Sequence, residues 1–260
     1  MAELRVEDMS VWAGPTRLVD GADFSVGSGE LAALIGPNGA GKSSLLRGII
    51  GLGERVSGGA FIDGQAVSAM KPHARARMMS YLPQSLPLAW PIRVYDAVAL
   101  GRYPHGTDRD GHGIIARALA DCDLLALADR TTDSLSGGEL ARVHVARTFA
   151  TQAPILLIDE PVAALDPYHA LSVMQLLRAH ADAGAAVVVV LHDLALAARF
   201  ASRIIGMRGE RICVGGAPEQ VVTPENIAML FDVTVAVTCE AGWPQPTIMS
   251  ALRLEGDQRS

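Results

Sequence analysis

The sequence predicts an α/β fold in which a buried, mainly parallel sheet carries a phosphate-binding loop at the end of one strand. Apolar runs of strand length at residues 31–35, 155–158 and 185–191 are typical of parallel strands covered on both faces. The first run leads into a glycine-rich stretch at residues 36–43, and a helical pattern follows from Leu45. A glycine loop between a strand and a helix is the context that phosphate binding requires.

The glycine-rich stretch has the sequence Gly-Pro-Asn-Gly-Ala-Gly-Lys-Ser. Its glycines leave backbone N–H groups free to surround an anion at the positive end of the following helix. Lys42 would bring a positive charge to the β- and γ-phosphates of a nucleoside triphosphate, and the Ser43 hydroxyl is suited to bind Mg²⁺. The residues predicted to bind the nucleotide here are Gly36, Asn38, Gly39, Gly41, Lys42, Ser43 and Ser44.

The composition excludes several other classes of protein. A net charge of −6 over 260 residues argues against sequence-independent binding of nucleic acid, which needs a basic surface. The longest apolar runs are shorter than the about 18 residues that a membrane-spanning helix needs. The three cysteines are scattered and the N-terminus lacks a signal-peptide pattern, so we expect a cytosolic protein with no nucleic-acid partner.

Antiparallel strands are predicted around the glycine loop. Residues 4–11 and 22–26 alternate between apolar and polar, and residues 58–64 predict a strand that ends in an Asp-Gly turn. Trp12 directly follows the first of these strands. It either packs against the sheet or stacks on the nucleotide base, and the sequence leaves both options open.

A helical region is predicted at residues 87–129, because helical periodicity recurs at residues 94–100, 114–122 and 124–128. Before it, a short strand from Met79 runs into a loop that contains Gln84. The Gln84 amide is either a ligand of Mg²⁺ or water, or a solvated loop side chain.

The segment Leu-Ser-Gly-Gly-Glu at residues 135–139 predicts the start of a helix that runs to about residue 150. Ser136 and Glu139 form a capping box, which stabilises many helices for local reasons. The two glycines in the first turn each cost about 1 kcal/mol relative to alanine, and a cap does not explain them. Exposed backbone at a helix N-terminus binds anions, so we predict that one nucleotide is held from two sides.

Two carboxylates, Asp159 and Glu160, follow the strand at residues 155–158. Beside a phosphate loop, Asp159 would hold Mg²⁺ through its water shell, and Glu160 would orient or deprotonate the attacking water. His192 follows the strand at residues 185–191. Because ligands of open α/β sheets gather at the carboxyl ends of the strands, His192 is expected to donate to the γ-phosphate.

The C-terminal half carries no other predicted chemistry. The patterns predict a helix that follows Asp166-Pro167 to about residue 183, and then four short elements. These are strands at residues 204–207 and 211–214, a helix at residues 224–231 and a strand at residues 233–237. The chain contains no internal repeat, which indicates one nucleotide-binding unit per chain.

The motifs in this order resemble the ATP-binding subunit of an ABC transporter: the glycine loop, Gln84, residues 135–139, Asp159-Glu160, residues 164–166 and His192. The resemblance covers almost the whole chain, and the Leu-Ser-Gly-Gly-Glu segment separates it from other phosphate-loop ATPases. It implies ATP and Mg²⁺ as cofactors, and a RecA-like core with an antiparallel β subdomain and an α-helical subdomain. The implied boundaries are one domain at 1–260, with the β subdomain and core at 1–86 and 130–240, the helical subdomain at 87–129 and a tail at 241–260.

The resemblance also implies a head-to-tail homodimer. Ser136, Gly137 and Gly138 of one copy would meet the γ-phosphate of ATP bound on Lys42 of the other copy, so the nucleotide bridges two positive helix ends. Gln84 would sense the γ-phosphate and link it to the helical subdomain, which touches a permease. The implied catalytic residues are Glu160, His192 and Gln84, and the implied Mg²⁺ ligands are Ser43, Gln84 and Asp159.

A narrower similarity lies in the Tyr-Leu-Pro-Gln segment at residues 81–84 and the Ala-Leu-Gly-Arg-Tyr-Pro-His run at residues 99–105. These segments resemble the ATPases of importers for iron-siderophore complexes, haem and cobalamin. The similarity implies a peripheral subunit on the cytoplasmic face of the inner membrane. It would bind two transmembrane permease subunits and, indirectly, a periplasmic substrate-binding protein. The alternatives are a subunit of another ABC transporter, for a metal ion or other small solute, and a soluble ABC-type ATPase that is not coupled to transport.

Overall fold

Twelve strands and nine α-helices form the described part of the chain in the computed structural model, which covers residues 2–84, 90–106, 111–163, 165–240 and 242–251. The strands are β1 (Leu4–Ala13), β2 (Thr16–Val26), β3 (Leu31–Ile35), β4 (Arg55–Ile62), β5 (Gln65–Ala66), β6 (Met79–Leu82), β7 (Ile155–Asp159), β8 (Ala186–Val190), β9 (Arg203–Arg208), β10 (Arg211–Gly216), β11 (Val233–Glu240) and β12 (Trp243–Ala251). The helices are α1 (Lys42–Ile49), α2 (Pro72–Met78), α3 (Val94–Ala99), α4 (Gly111–Asp121), α5 (Gly137–Ala150), α6 (Pro167–Asp182), α7 (Leu194–Phe200), α8 (Pro218–Val221) and α9 (Pro224–Phe231).

The central sheet has six strands in the order β10-β9-β3-β8-β7-β6. Its neighbours are parallel except for β10, which runs antiparallel to β9. Strands β3, β7 and β8 are buried along their whole length, as their uninterrupted apolar sequences predict. Val190 pairs with both Leu34 and Asp159, so the carboxyl ends of these three strands lie at one edge of the sheet.

A second, antiparallel sheet has the order β2-β1-β4-β5. The predicted strands are confirmed, but β2 begins at Thr16 and not at residue 22. The polar side chains of Arg17 and Asp20, which form an ion pair at 2.7 Å, hide this part of the strand from an alternation pattern. The ladder with β1 nevertheless continues to the turn, where Ala13 pairs with Thr16.

Helices α3 and α4 lie in the predicted helical region at residues 87–129, and with α5, which was predicted separately, they contribute to one apolar core. Helix α3 ends at Ala99, and a 3₁₀ segment (Leu100–His105) follows it. The start of the predicted helical region, at residues 87–89, lies outside the described residues. Helix α2 precedes this region and was not predicted. Its sequence is rich in arginine and it contains no buried residue, so it has no apolar stripe to reveal it.

The C-terminal segment contains the predicted strands β9, β10 and β11 and the helix α9, together with three elements that were not predicted. Two are short helices: α7, which the Asp193 carboxylate caps, and α8. The third is β12, which pairs along β11 although it contains Pro244 and Pro246. Prolines are tolerated there because this sheet has only two strands, so each strand has one edge without a partner.

Alternate side chains of β3 point into two different cores. Leu31, Ala33 and Ile35 pack with the helices α3–α7 on one side of the central sheet. Ala32 and Leu34 pack on the other side, with α1 and the antiparallel sheet. The central sheet is therefore covered on both faces, and its carboxyl edge presents the loops that carry the candidate site.

Candidate nucleotide-binding site

The glycine loop lies between β3 and α1, as predicted, and glycine is structurally required at two of its positions. At Gly36 a Cβ atom would lie 2.2 Å from the Met207 carbonyl oxygen, and at Gly41 it would lie 2.1 Å from the Leu18 carbonyl oxygen. Both residues also have positive φ, at 151° and 94°. Only glycine combines this backbone conformation with such close approach.

The Lys42 side chain curls back over the loop. Its Nζ atom donates to the carbonyl oxygens of Gly36 at 2.8 Å and Pro37 at 2.9 Å. Burial lowers the pKa of Lys42, and the nearby carboxylates of Glu160 and Asp159 oppose this by raising it. An ammonium group has three donors, so these two bonds leave one for a phosphate oxygen.

A cavity of about 590 Å³ opens over the glycine loop. It brings together the predicted loop residues with Gln84, Glu160 and His192, which come from three separate parts of the chain. Its lining residues are Leu18, Asn38, Gly39, Ala40, Gly41, Lys42, Ser43, Ser44, Gln84, Glu160 and His192. Of the predicted loop residues, Gly36 does not line this cavity, and it lies behind the loop as an acceptor for Lys42.

Asp159 lies behind Ser43 at the end of β7. The Ser43 hydroxyl donates to Asp159 Oδ1 at 3.1 Å, and Asp159 is 1% exposed. Its Oδ2 atom is buried and has no hydrogen-bond partner within the described ranges. Burial raises the pKa of the Asp159 carboxyl, against the effect of the Ser43 hydrogen bond, which lowers it.

This donor set fits Mg²⁺ bound with a nucleotide. Mg²⁺ usually takes one or two protein oxygens and completes its shell with phosphate oxygens and water. The Ser43 hydroxyl and the Asp159 Oδ2 atom, which is unpartnered among the described residues, are oxygens that could serve in this way. The described residues contain no group of three or more His, Cys, Asp or Glu side chains that could form a metal cage without a nucleotide.

Glu160 stands at the centre of a polar cluster. Gln84 Nε2 donates to Glu160 Oε2 at 2.7 Å, and His192 Nε2 lies 2.5 Å from Glu160 Oε1. The backbone of Glu160 has a φ of 52°, a left-handed conformation that is uncommon for a residue other than glycine. Strain of this kind clusters at functional sites, where surrounding contacts hold it.

The segment at residues 135–139 is not part of this cavity. Ser136, Gly137 and Gly138 are absent from its lining, although the predicted capping box is confirmed. The Ser136 hydroxyl accepts from the Glu139 N–H at 3.3 Å, and the Glu139 carboxylate accepts from the Ser136 N–H at 2.8 Å. The predicted contact of these residues with a nucleotide on another copy stays a prediction. Ala164, in the predicted 164–166 motif, lies outside the described residues.

Leu18 lines the cavity and was not predicted as a site residue. It lies in the part of β2 that the alternation pattern missed, so no signal in the sequence pointed to it. Trp12 does not line the cavity, and the Arg55 guanidinium lies 4.2 Å from its ring centroid. This cation occupies one of the two faces of the ring.

The run at residues 99–105 packs against the C-terminal end of α5. At Gly101 a Cβ atom would lie 2.3 Å from the Arg147 carbonyl oxygen, so glycine permits this close approach. Arg102 Nη1 donates to the Ala150 carbonyl oxygen at 2.9 Å, and His105 Nε2 lies 2.8 Å from the Thr151 carbonyl oxygen. Basic side chains at these carbonyls stabilise the negative end of α5, whose other end begins at Ser136.

None of the helices within the described ranges has both the length and the apolar character needed to span a membrane.

Comparisons with known proteins agree with this arrangement. A family model described as ABC transporter matches residues 19–163. The hemin import ATP-binding protein HmuV of Pseudomonas fluorescens (strain Pf-5) is 42% identical over 240 residues, which cover 90% of this chain and 94% of that protein. The cobalamin import ATP-binding protein BtuD of Halobacterium salinarum (strain R1) is 39% identical over 239 residues, which cover 90% of this chain and 60% of that protein.

Solved structures share the fold. The ATP-binding subunit of an ABC transporter superposes with a TM-score of 0.76 at 25% identity, over 88% of this chain and 94% of that chain. An ATP-binding cassette of an ABC transporter in its ADP conformation superposes with a TM-score of 0.78 at 21% identity, over 89% and 98%. The glycine loop, the acidic pair and this family match point to one conclusion. The chain belongs to the ABC transporter family, and it is an ATP-binding subunit, an ATPase whose activity is coupled to transport.

Proposed function

We propose that this chain powers the import of haem through a partner permease. The main observation behind this proposal is the cavity lined by Lys42, Ser43 and Glu160, because it combines a triphosphate site with a candidate base for hydrolysis. The substrate class is supported by the hemin import relatives, of which those from Pseudomonas fluorescens and Nocardia farcinica are both 42% identical to this chain.

The residues divide the work of hydrolysis. The glycine loop and Lys42 bind the phosphates, and the third N–H of the Lys42 ammonium donates to a phosphate oxygen. Glu160 accepts a proton from the attacking water, and general bases of this kind accelerate reactions by about 10²–10⁴-fold. His192 Nε2 lies 2.5 Å from the Glu160 carboxylate, and it would donate to the γ-phosphate in place of this contact once ATP is bound. Gln84, bonded to the other Glu160 oxygen, senses the same group.

Mg²⁺ belongs to the proposed site. Ser43 and Asp159 would hold it, with Gln84 as a further ligand. The ion would neutralise charge on the β- and γ-phosphate oxygens. Support comes from the buried Asp159 Oδ2 atom, which lacks a hydrogen-bond partner among the described residues and is an oxygen ligand suited to a hard cation.

The active form is proposed to be a homodimer in which ATP joins two copies. Ser136, Gly137 and Gly138 do not line the cavity of their own chain, which is consistent with a role on a second copy. Their exposed backbone at the N-terminus of α5 would receive the γ-phosphate held on Lys42 of the partner copy. Hydrolysis would remove this bridge and let the copies separate.

The permease is proposed to dock at a cleft of about 360 Å³ beside the run at residues 99–105. Tyr81, Leu82 and Pro83 form one wall of this cleft, directly before Gln84, and Leu100 and Tyr103 form another. Tyr103 is 83% exposed. Because the run also caps α5, movement at the permease would reach Ser136 along one helix.

The assembly would place this chain on the cytoplasmic face of the inner membrane, bound to two transmembrane permease subunits. A periplasmic substrate-binding protein would act on the opposite side and contact this chain only indirectly. Co-purification in detergent tests this: a polytopic membrane subunit should follow the chain, and recovery of the chain alone would favour an ATPase that is not coupled to transport.

Cobalamin is the second candidate substrate, because the cobalamin import relative is 39% identical over 90% of this chain. Ferric siderophores form a third class, suggested by the resemblance at residues 81–84 and 99–105. Transport into vesicles that contain this chain, its permease and its binding protein would separate the three. We expect ATP-dependent haem uptake that Lys42→Ala abolishes. Uptake of cobalamin or a ferric siderophore in place of haem would contradict the haem assignment, and uptake of a metal ion or another solute alone would contradict the whole class.

A further inference from the structure

The phenol of Tyr81 has no role in the hydrolysis steps described above, although Tyr81 also lines the proposed permease cleft. Tyr81 is on β6, the edge strand of the central sheet, and pairs with Leu157 of β7. Residues two apart on a strand share a face, so Asp159 lies on the same face of the sheet as Leu157. Tyr81 packs against the apolar core on that face, which α1 covers with Leu45 and Leu46.

Two buried polar atoms on this face lack partners. Among the described residues, the Tyr81 hydroxyl and Asp159 Oδ2 are both buried without a hydrogen bond. A phenol donates a hydrogen bond, and an ionised carboxylate only accepts. Buried polar groups in folded proteins are nearly always paired, so an unpaired donor and an unpaired acceptor in one neighbourhood call for an explanation.

The charges around the two groups agree with this placement. Burial raises the pKa of the Tyr81 phenol, the Arg47 guanidinium lowers it, and the Asp159 carboxylate raises it. Arg47 is on α1, one helical turn after Ser43, and it also lowers the pKa of Asp159. The phenol therefore lies within the influence of both a cation and the proposed metal ligand.

We propose that Tyr81 is a positioning residue for Asp159, whose Oδ2 atom accepts a hydrogen bond from the Tyr81 hydroxyl when the carboxylate holds the nucleotide's Mg²⁺. The proposal rests on the proposed role of Asp159 in binding that ion. Ser43 holds the Oδ1 atom at 3.1 Å, and a second bond at Oδ2 would stop the carboxylate from rotating about its Cβ–Cγ bond. Groups that orient a metal ligand in this way raise the affinity for the metal.

The test replaces Tyr81 with Phe, which keeps the ring and removes only the hydroxyl. Mn²⁺ serves as a spectroscopic probe for Mg²⁺, and its binding to the ATP-loaded protein is measured by electron paramagnetic resonance in a Glu160→Gln background that slows turnover. Loss of one hydrogen bond to an ionised metal-binding carboxylate predicts Mn²⁺ affinity weaker by about ten- to a hundredfold. ATP affinity in EDTA is expected to stay unchanged. Tyr168→Phe is the matched control, because that side chain is exposed on α6 and has no role in the proposed site.

Each possible result either supports or overturns the proposed role of Tyr81. A selective loss of Mn²⁺ affinity in Tyr81→Phe, absent in Tyr168→Phe, supports the proposal. Mn²⁺ affinity equal to that of the background overturns it. Equal losses of Mn²⁺ binding, metal-free ATP binding and thermal stability also overturn it, because the hydroxyl would then support the fold and not the metal ligand. If the background protein itself binds ATP but no Mn²⁺, the proposed metal site fails together with this inference.

Discussion

The Glu160 carboxylate contacts two other residues of the candidate site. Its two carboxylate oxygens bond to different residues, Gln84 at 2.7 Å and His192 at 2.5 Å, and its backbone is held at a φ of 52°. These contacts come from three loops that follow β6, β7 and β8. The carboxylate is therefore fixed in space by two side chains, and both are proposed to respond to the γ-phosphate.

Glu160→Gln should abolish most ATPase activity and preserve ATP binding. The amide keeps the shape of the side chain but cannot accept the proton of the attacking water, so we expect turnover to fall by about 10²–10⁴-fold. Steady-state phosphate release and the affinity for a fluorescent ATP analogue measure the two properties. Glu225→Gln, at an exposed position on α9, is the matched control. A Glu160→Gln protein that hydrolyses ATP at the parental rate would show that Glu160 is not the base.

Asp159→Asn should stabilise the protein in the absence of nucleotide and weaken metal-dependent ATP binding. The carboxylate is buried with one unpartnered oxygen, and a buried unsatisfied group destabilises a fold by about 1–3 kcal/mol. A gain of 1 kcal/mol raises the unfolding temperature of a domain of this size by roughly 2–4 °C. Thermal unfolding in EDTA is the measurement, and an unchanged or lower midpoint would contradict the expected strain.

The pKa shift of Asp159 sets the direction in which the stability gained by Asp159→Asn changes with pH. Burial raises the pKa of Asp159 in the folded state, so the folded protein binds this proton more tightly than the unfolded chain. The stability linked to Asp159 is therefore present at low pH and is lost as pH rises through its folded pKa. The advantage of Asp159→Asn should be full at neutral pH and shrink in mildly acidic buffer, where the parental carboxyl becomes protonated.

At the scale of elements, the glycine loop is held between β2 and α1 by backbone contacts. Gly41 approaches the Leu18 carbonyl so closely that any side chain must displace it, whereas Gly39 has open space around it. Both glycines have positive φ, at 94° and 80°. Substitutions at the two glycines therefore share the cost of backbone strain, and only the one at Gly41 adds a steric collision.

Gly41→Ala should destabilise the protein more than Gly39→Ala. Both substitutions carry the cost of a left-handed conformation, about 1–2 kcal/mol, and Gly41→Ala adds a collision with a backbone oxygen 2.1 Å away. Urea unfolding followed by circular dichroism gives the two free energies of unfolding. Equal losses for the two variants would mean that β2 moves away from the loop at little cost.

Helix α5 links the segment at residues 135–139 to the run at residues 99–105. Its N-terminus begins with the capping box of Ser136 and Glu139, and its last carbonyls contact Arg102 and His105. The run at residues 99–105 is thus explained by contacts within the chain, whether or not a permease binds beside it. The subdomain boundaries at residues 86, 129 and 240 stay predictions.

At the scale of the whole molecule, ATP is expected to join two copies. In a Glu160→Gln background, ATP should shift the protein from monomer to dimer in size-exclusion chromatography with light scattering. Ser136→Arg should keep the monomer folded and abolish this shift, because a long cation would fill the space that the γ-phosphate needs. Ser68→Arg, at an exposed serine, is the control. ATP-dependent dimerisation that survives Ser136→Arg would count against a shared site.

The sequence by itself determined the fold class, the glycine loop and the identity of the charged groups around it. These depend on local signals: a buried strand, a turn that only glycine can make, and a capped helix are each encoded within about ten residues. Asp159, Glu160 and His192 were predicted together because parallel strands bring their carboxyl ends to one edge. That geometry follows from strand direction and needs no side-chain contact.

Only the tertiary structure decided which side chains meet. The bond from Gln84 to Glu160 joins residues 76 positions apart, and the stacking of Arg55 on Trp12 joins two strands through a ladder whose register the sequence did not specify. The same holds for Leu18 in the cavity and for Tyr81, whose register against β7 places it on the face of the sheet that carries Asp159. Contacts of this kind depend on register and packing between distant segments, and no periodicity within one segment records them.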